Sequence, residues 1–338
     1  MIGFGQLTMI PDANFEQALI NLGYDNGAIN GSVYTSMIDT VTNLNIEQLS
    51  ISDLTGIEDF VSIEYLDCSF NWLTILDVSN NIALTHLNCG WNSIGTLDLT
   101  NNPALTWLNC VNTGISYLDL SNNTALDTLD ISSALVGNGY SPNTLSSLDV
   151  SSHPNLSFLN CESNQLTSLI LGNKPSLVQL LCGFRWQPVS PSGNLLTSLD
   201  LSNTPALTDL KCDYNQLTTL DLTNNPALTD LKCWNNQFTS LDLRNGNNTI
   251  LTWLECYDNS TLTCIDVDDV VWSTANWTTN GIDPQHYFSN NCSGTAIEEH
   301  STNKKLLRTI DILGRETKNN PIFYIYDDGT VEKRITIE

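Results

Sequence analysis

The chain has 338 residues, of which 37 are acidic and 12 basic, for a formal charge of −25. A surface of that sign repels phosphate backbones and anionic lipid, which argues against nucleic acid and bare membrane as partners. No run of about 18 apolar residues occurs, so the sequence carries no candidate membrane-spanning helix.

Residues Met1 to Leu7 lack the basic start and long apolar core of a secretory signal peptide. Gly3-Phe4-Gly5-Gln6 looks like the downstream end of a cleaved one, so a leader is expected upstream. Asp12 is placed to N-cap a helix in which Phe15, Ala18, Leu19 and Leu22 share one face, and Gly23 ends it. Asp25 to Gly31 has the look of a calcium loop but lacks the closing glutamate, and reads as a turn.

A fixed period then takes over. Cys68, Cys89 and Cys110 stand 21 residues apart, as do Cys161 and Cys182, and Cys212 and Cys233; Cys256 closes the series. Each cysteine ends a Leu-x-Cys phrase, as in Leu66-Asp67-Cys68, with Ile46 and Ile131 standing in its place in two further coils. Around Cys233, Leu231 and Cys233 alternate with Asp230, Lys232 and Trp234, the period of two that marks a strand with one buried face. Asn236 follows where the chain leaves the strand, and Phe238, Leu241 and Leu243 complete the interior. Self-similarity at this period predicts a solenoid in which each coil buries its apolar edge against its neighbours. The eight cysteines of the column are expected to be buried and reduced, because unpaired cysteine packs as a small hydrophobe. A ladder does not converge as zinc ligands must.

A second column holds Asp77, Asp98, Asp119, Asp149, Asp200, Asp221, Asp242 and Asp266 on the opposite arc. Each is expected to accept hydrogen bonds from its own following turn. Calcium along the ladder is the alternative, although one carboxylate per coil is thin coordination for it.

Two coils are longer. Ile131 to Asp149 and Cys182 to Asp200 each span 18 residues, where Cys110 to Asp119 spans nine. Both extra segments fall just after the strand, and insertions in a solenoid map to one face, often the binding face. With one coil between them their roots should lie ~10 Å apart. They are expected to flank Cys161-Glu162-Ser163, presenting Tyr140, Phe184, Arg185 and Trp186. The outward strand positions add Trp91, Trp107 and Phe158, in a half of the face that is aromatic and nearly uncharged, whereas Asp209, Asp230 and Trp253 belong to a mixed, charged half. Aromatic residues are enriched where surfaces bind.

Beyond the last coil, Cys264 takes an outward position and Cys292 lies in an irregular stretch with Trp272, Trp277, Tyr287 and Phe288. A solenoid end must hide its last apolar coil, and a bridge between these two cysteines would pin such a cap. Residues 301–338 hold seven of the 12 basic side chains against six acids, a break that marks a separate module. Its alternating apolar residues and the turn at Asp327-Asp328-Gly329 predict a small all-β unit.

The repeat resembles the leucine-rich-repeat family in its short bacterial form, over roughly residues 42–267. That resemblance implies an arc with a parallel concave sheet. The tail resembles the C-terminal sorting domain of type IX secretion, found in Bacteroidota. The phrase containing Asp311, Gly314 and Arg315, the Tyr324-Ile325-Tyr326 triplet and the basic terminal strand carry this likeness, although a proline-rich leading strand is missing. It implies a secreted or surface protein and the type IX machinery as a partner.

The chain therefore divides into an N-terminal segment with a helical cap over 1–41, the solenoid over 42–267, a C-terminal cap over 268–293, a linker over 294–303 and a sorting module over 304–338. His86, His153, His286 and His300 are scattered without metal spacing, and neither a Gly-x-Ser-x-Gly elbow nor a phosphate-binding loop occurs. The reading is a monomeric recognition protein without catalysis or cofactor, binding an extracellular protein or glycan through its concave face and inserted loops. A structural or adhesive surface protein without one defined ligand is the alternative.

Overall fold

The computed structural model describes residues 5–134, 140–185, 193–277 and 281–292, and strands at 306–310, 323–326 and 331–333. They fall into two compact units, Met1–Cys292 and Ser293–Glu338. In the first, the Leu-x-Cys phrases form three-residue strands that stack in chain order into a ten-stranded parallel sheet, from Asn43–Asn45 to Trp253–Glu255. Register is strict. Leu66 pairs with Leu87, Leu87 with Leu108 and so on to Leu231 with Leu254, so one leucine column lines the interior. A slip of one residue would turn the whole column outward.

The eight column cysteines are free and fully buried beside those leucines, as the period predicts. Burial pushes the Cys89 thiol up to about 12, and the others rise for the same reason. The arc closes with two polar ladders. In the first, Asn71 donates to the carbonyls of Ile46 and Cys68 at 2.8 and 3.0 Å and accepts the N–H groups of Leu49 and Ile51. Asn92, Asn164, Asn215, Asn236 and Asn259 repeat the arrangement, supplying the partners that buried backbone requires.

The second ladder was not foreseen. Asn81, Asn102, Asn123 and Asn225 are fully buried under the convex turns, each donating to carbonyls of the preceding coil. His153 takes this place after the first long coil, Lys174 in the regular coil that follows and Thr204 after the second long coil, and burial lowers the proton affinity of His153 and Lys174. The convex aspartates behave as turn acceptors: Asp77, Asp98, Asp119 and Asp221 each take the N–H two residues on at 2.9 Å. Hydrogen bonding to the ionised form holds Asp77 and Asp98 below the usual carboxylate range.

Both ends of the solenoid are covered. Helix Ala13–Leu22 is N-capped by Asp12 and ended by Gly23 at φ 81°. Phe15, Ala18 and Leu19 are buried, but Leu22 is exposed because the helix ends there and the chain turns away. The buried Glu16 carboxylate accepts the N–H groups of Asn30 and Gly31 at 2.6 and 2.8 Å, which fixes the Asp25–Gly31 turn. At the other end, helix Val270–Asn276 and strand Tyr287–Ser289 close over the last coil. Trp277 is buried and donates to the Leu251 carbonyl at 2.9 Å. Cys264 and Cys292 are bridged, so the expected pinned cap is present. The second unit contains an antiparallel three-stranded sheet, Leu306–Ile310, Phe323–Tyr326 and Val331–Lys333. Asp311, Gly314 and Arg315 lie outside the described residues.

Candidate recognition surface

The first asparagine ladder shows where each inserted segment leaves and rejoins. Asn143 and Asn194 hold the ladder place but stand 12 residues after Ile131 and Cys182, where Asn71 stands three after Cys68. Both insertions therefore emerge between strand and ladder, at the rim of the concave sheet. The first folds toward the N-terminal end. Asn112 exchanges two 2.6 Å hydrogen bonds with the backbone of Ala134, and Tyr140 lands edge-on against Trp91 and Phe70 at 5.7 and 6.3 Å. Phe70 and Trp91 stack on each other at 5.2 Å with planes 10° apart.

A second aromatic row runs down the strand starts, with Tyr65, His86 and Trp107 spaced at 6.1 and 6.4 Å. Between the rows the floor carries Asp67, Asn88 and Asn109. Asp67 is buried and committed: Oδ1 accepts from Ser69 and Oδ2 from Asn88 at 2.9 Å. A third group, Phe184, Tyr214, Trp234 and Tyr257, lies at the C-terminal half of the rim with centroids 4.8, 4.6 and 4.9 Å apart.

Backbone geometry sets these rings apart. After seven of the eight strand cysteines, all but Cys182, the second residue on turns the chain at positive φ, a region that favours glycine and asparagine. Asn112 and Asn235 occupy it at 52° and 53°, yet Phe70, Trp91 and Tyr214 occupy it at 54°, 57° and 49°. Bulky side chains in a conformation that costs them energy cluster at functional sites.

The predicted centre is built differently from the expectation. Glu162 is buried and held by Lys211 at 2.7 Å, so it fastens the sheet and does not face a ligand. Phe184 is buried beneath Tyr214 and is not presented either. Arg185 donates to Ser132 Oγ at 2.5 Å through its guanidinium and to Ser163 Oγ at 2.9 Å through its backbone N–H. The second insertion thus begins clamped to the sheet. Phe158 is half-buried at a strand start, apart from the Tyr65–Trp107 row, since Thr128 stands between. Trp186 lies outside the described residues. The structure brings together Trp91 with Tyr140 and places Trp107 in the neighbouring row.

Three charged groups at this centre went unnoticed in the sequence. Asp130, half-buried, and Asp213, buried, join Glu162 and Lys211, and burial raises the proton affinity of all three carboxyls. Asp213 is pushed up to about 7, by burial first and by Glu162 second, with Lys211 opposing. Its Oδ2 accepts the Phe184 N–H at 3.3 Å and its Oδ1 has no hydrogen-bond partner among the described residues. Gly183 is what admits this carboxyl, since a Cβ there would stand 2.5 Å from Oδ1.

Among solved structures, the functional domain of InlJ from Listeria monocytogenes, which includes a cysteine ladder, is 28% identical with a TM-score of 0.60. The alignment covers 85% of this chain and 62% of that one. The chain has the leucine-rich-repeat fold. The internalin InlF of the same species is 21% identical over 83% of this chain and 76% of its own, with a TM-score of 0.61. The leucine-rich-repeat domain of APL1B is 17% identical over 75% and 80%, with a TM-score of 0.52. These two show the shared fold alone. No family model and no curated protein matches the sequence.

Proposed function

We propose that this leucine-rich-repeat protein is an exported, non-catalytic recognition protein that binds an extracellular protein or glycan along its concave face and the inserted segments beside it. The observation that carries the reading is the pair of aromatic rows, in which Phe70 and Trp91 are held at positive φ where asparagine would fit with less strain. The N-terminal half of the floor between the rows is amide-rich, and its buried Asp67 is already paired, so binding there rests on ring surface and neutral hydrogen bonds. The bridged Cys264–Cys292 pair supports an oxidising compartment, and the sequence of the tail supports the type IX route. No helix among the described residues is long and apolar enough to cross a membrane.

The test is a screen of the purified chain against extracellular proteins and a glycan array. One saturable ligand, weakened about tenfold or more by Trp91→Ala and by Trp107→Ala but not by Tyr117→Ala on the exposed flank, is expected. Weak binding to many surfaces, indifferent to all three substitutions, would favour the adhesive alternative.

A further inference from the structure

A second surface lies away from the concave face. Between the outer arcs of the first two coils runs a groove of about 650 Å³. Its apolar lining is Leu54, Ile57 and Ile75, and its acidic lining is Asp53, Glu58 and Asp77. It opens here for a local reason. This coil makes the Asp-x-Thr turn of the later coils at Asp53–Thr55 and then adds a 3₁₀ turn, Ile57–Asp59, entered through Gly56 at φ 104°.

One wall is fixed from behind. Asp12, the cap of the N-terminal helix, also accepts the Ser52 N–H and Oγ at 2.8 Å each and the Asp53 N–H at 3.2 Å. A preformed wall of this kind lowers the ordering cost of binding.

Ile75 lines the groove, and Trp72 and Ile82 are exposed apolar residues on the chain segments beside it. Ile75 is 76% exposed and Trp72 62%, and the Trp72 backbone is bonded to Ile51, next to the Ser52 wall. Ile82, 63% exposed, follows the lining residue Asn80 by two positions. Single exposed hydrophobes are ordinary, but several gathered around one concavity mark an interaction surface.

Charge selects the occupant. The first 173 residues contain 17 acids and neither a lysine nor an arginine. Each groove carboxylate gives one oxygen to its own turn: Asp53 to the Thr55 N–H, Glu58 to the Gly56 N–H and Asp77 to the Ser79 N–H. All three residues are exposed. The three do not converge, since among the described residues no three acidic, histidine or cysteine side chains gather to hold a metal ion. Separate carboxylates around an apolar strip match spaced cations on an amphipathic chain.

We propose that this groove docks a basic, amphipathic polypeptide segment of a partner protein, its apolar side chains on Ile75 and Trp72 and its lysines or arginines on Asp53, Glu58 and Asp77. This site is independent of the concave face and stands or falls separately.

The experiment titrates the full chain with an amphipathic peptide of leucines and lysines, and with an equally charged peptide in which serine replaces leucine, at physiological salt. The leucine peptide should bind about tenfold or more tighter than the serine peptide. Ile75→Ser and the Glu58→Gln/Asp77→Asn double variant should each weaken it about fivefold or more, with melting temperatures unchanged because these side chains are exposed. Hydrogen-exchange protection should fall on residues 52–58 and 72–80. Equal affinity for the two peptides, protection on the concave strands, indifference to the variants, or no binding by the parent chain would each overturn the proposal.

Discussion

Lys211 Nζ meets Glu162 Oε1 at 2.7 Å across a whole intervening coil, the one whose strand is Gln179–Leu181. In that coil Leu181 stands in register with Lys211 on one side and Asn160 on the other, so the lysine reaches diagonally to Glu162. The pair ties the coil before the second insertion to the coil after it. Glu162 is buried while the Lys211 side chain is about a third exposed, which tempers the interaction by solvent screening. Lys211→Met should therefore cost about 1–2 kcal/mol, and Glu162→Gln added to it should cost less than the two changes summed. Urea denaturation of the single and double variants measures this; strict additivity would show that the pair does not couple.

Asp213 makes stability depend on pH. Its folded proton affinity, near 7, lies above the ordinary value of 3.8, so the folded state holds this proton more tightly than the unfolded chain does. The stabilisation is fully present below the ordinary value and is lost as pH rises through about 7. Asp213→Asn keeps an acceptor for the Phe184 N–H and removes the charge. The variant should be more stable than the parent by roughly 1–3 kcal/mol at alkaline pH, and the gap should close on acidification. Denaturation series on both sides of neutrality decide it; a gap that is constant with pH contradicts the assignment.

The rim rings offer a contrast between two tryptophans. Trp91 sits at φ 57°, whereas Trp107 lies in a regular strand. Replacing Trp91 by asparagine loses stacking worth about 0.5–1.5 kcal/mol but relieves a backbone strain of about 1 kcal/mol. The net change in stability should be under about 1 kcal/mol. Trp107→Asn has no such relief and puts a poor strand former in the sheet, so its cost should be larger. Thermal melting orders the two variants. Equal losses would mean that the positive-φ positions carry no strain.

Much of this architecture was legible because the repeat is covalent arithmetic. Cysteine spacing gives the coils, and the longer Cys-to-Asp spans place both insertions. The destination of Tyr140 was not legible, since spacing gives the root of a loop and not the direction in which it folds. The second ladder was hidden for another reason. Asn102 and Asn225 each precede a proline in what reads as an exposed turn, and their burial follows only from stacking one coil on the next. Their recurrence at the repeat period was the available signal. Asp130, Lys211 and Asp213 read as ordinary solvent-facing charges; it is the insertion root at Gly183 and Phe184 that packs against Asp213, and Glu162 that takes up Lys211.

Thiol chemistry separates the two kinds of cysteine. Alkylation of unfolded, unreduced protein should label eight thiols by mass spectrometry, the number that are free in the fold. In the folded protein the same reagent should label almost none, because burial both blocks access and raises the thiol pKa. Reducing the Cys264–Cys292 bridge, which closes a 28-residue separation, should cost about 2–4 kcal/mol, concentrated in the C-terminal cap. Ten labelled thiols in the unreduced protein would remove the bridge.

Residues 304–338 are set apart from the solenoid in sequence and in charge. The bridged segment with Trp277 already covers the last coil, and the tail falls in a unit separate from Met1–Cys292. Deleting the tail should therefore leave the melting temperature of the solenoid nearly unchanged. We propose that the same residues direct export, because their sequence resembles a sorting domain and their charge is set apart from the acidic solenoid. In the native host the deletion should then retain the protein inside the outer membrane. A loss of several kcal/mol would make the tail part of the cap and move the domain boundary. Normal arrival at the surface without it would remove the sorting role.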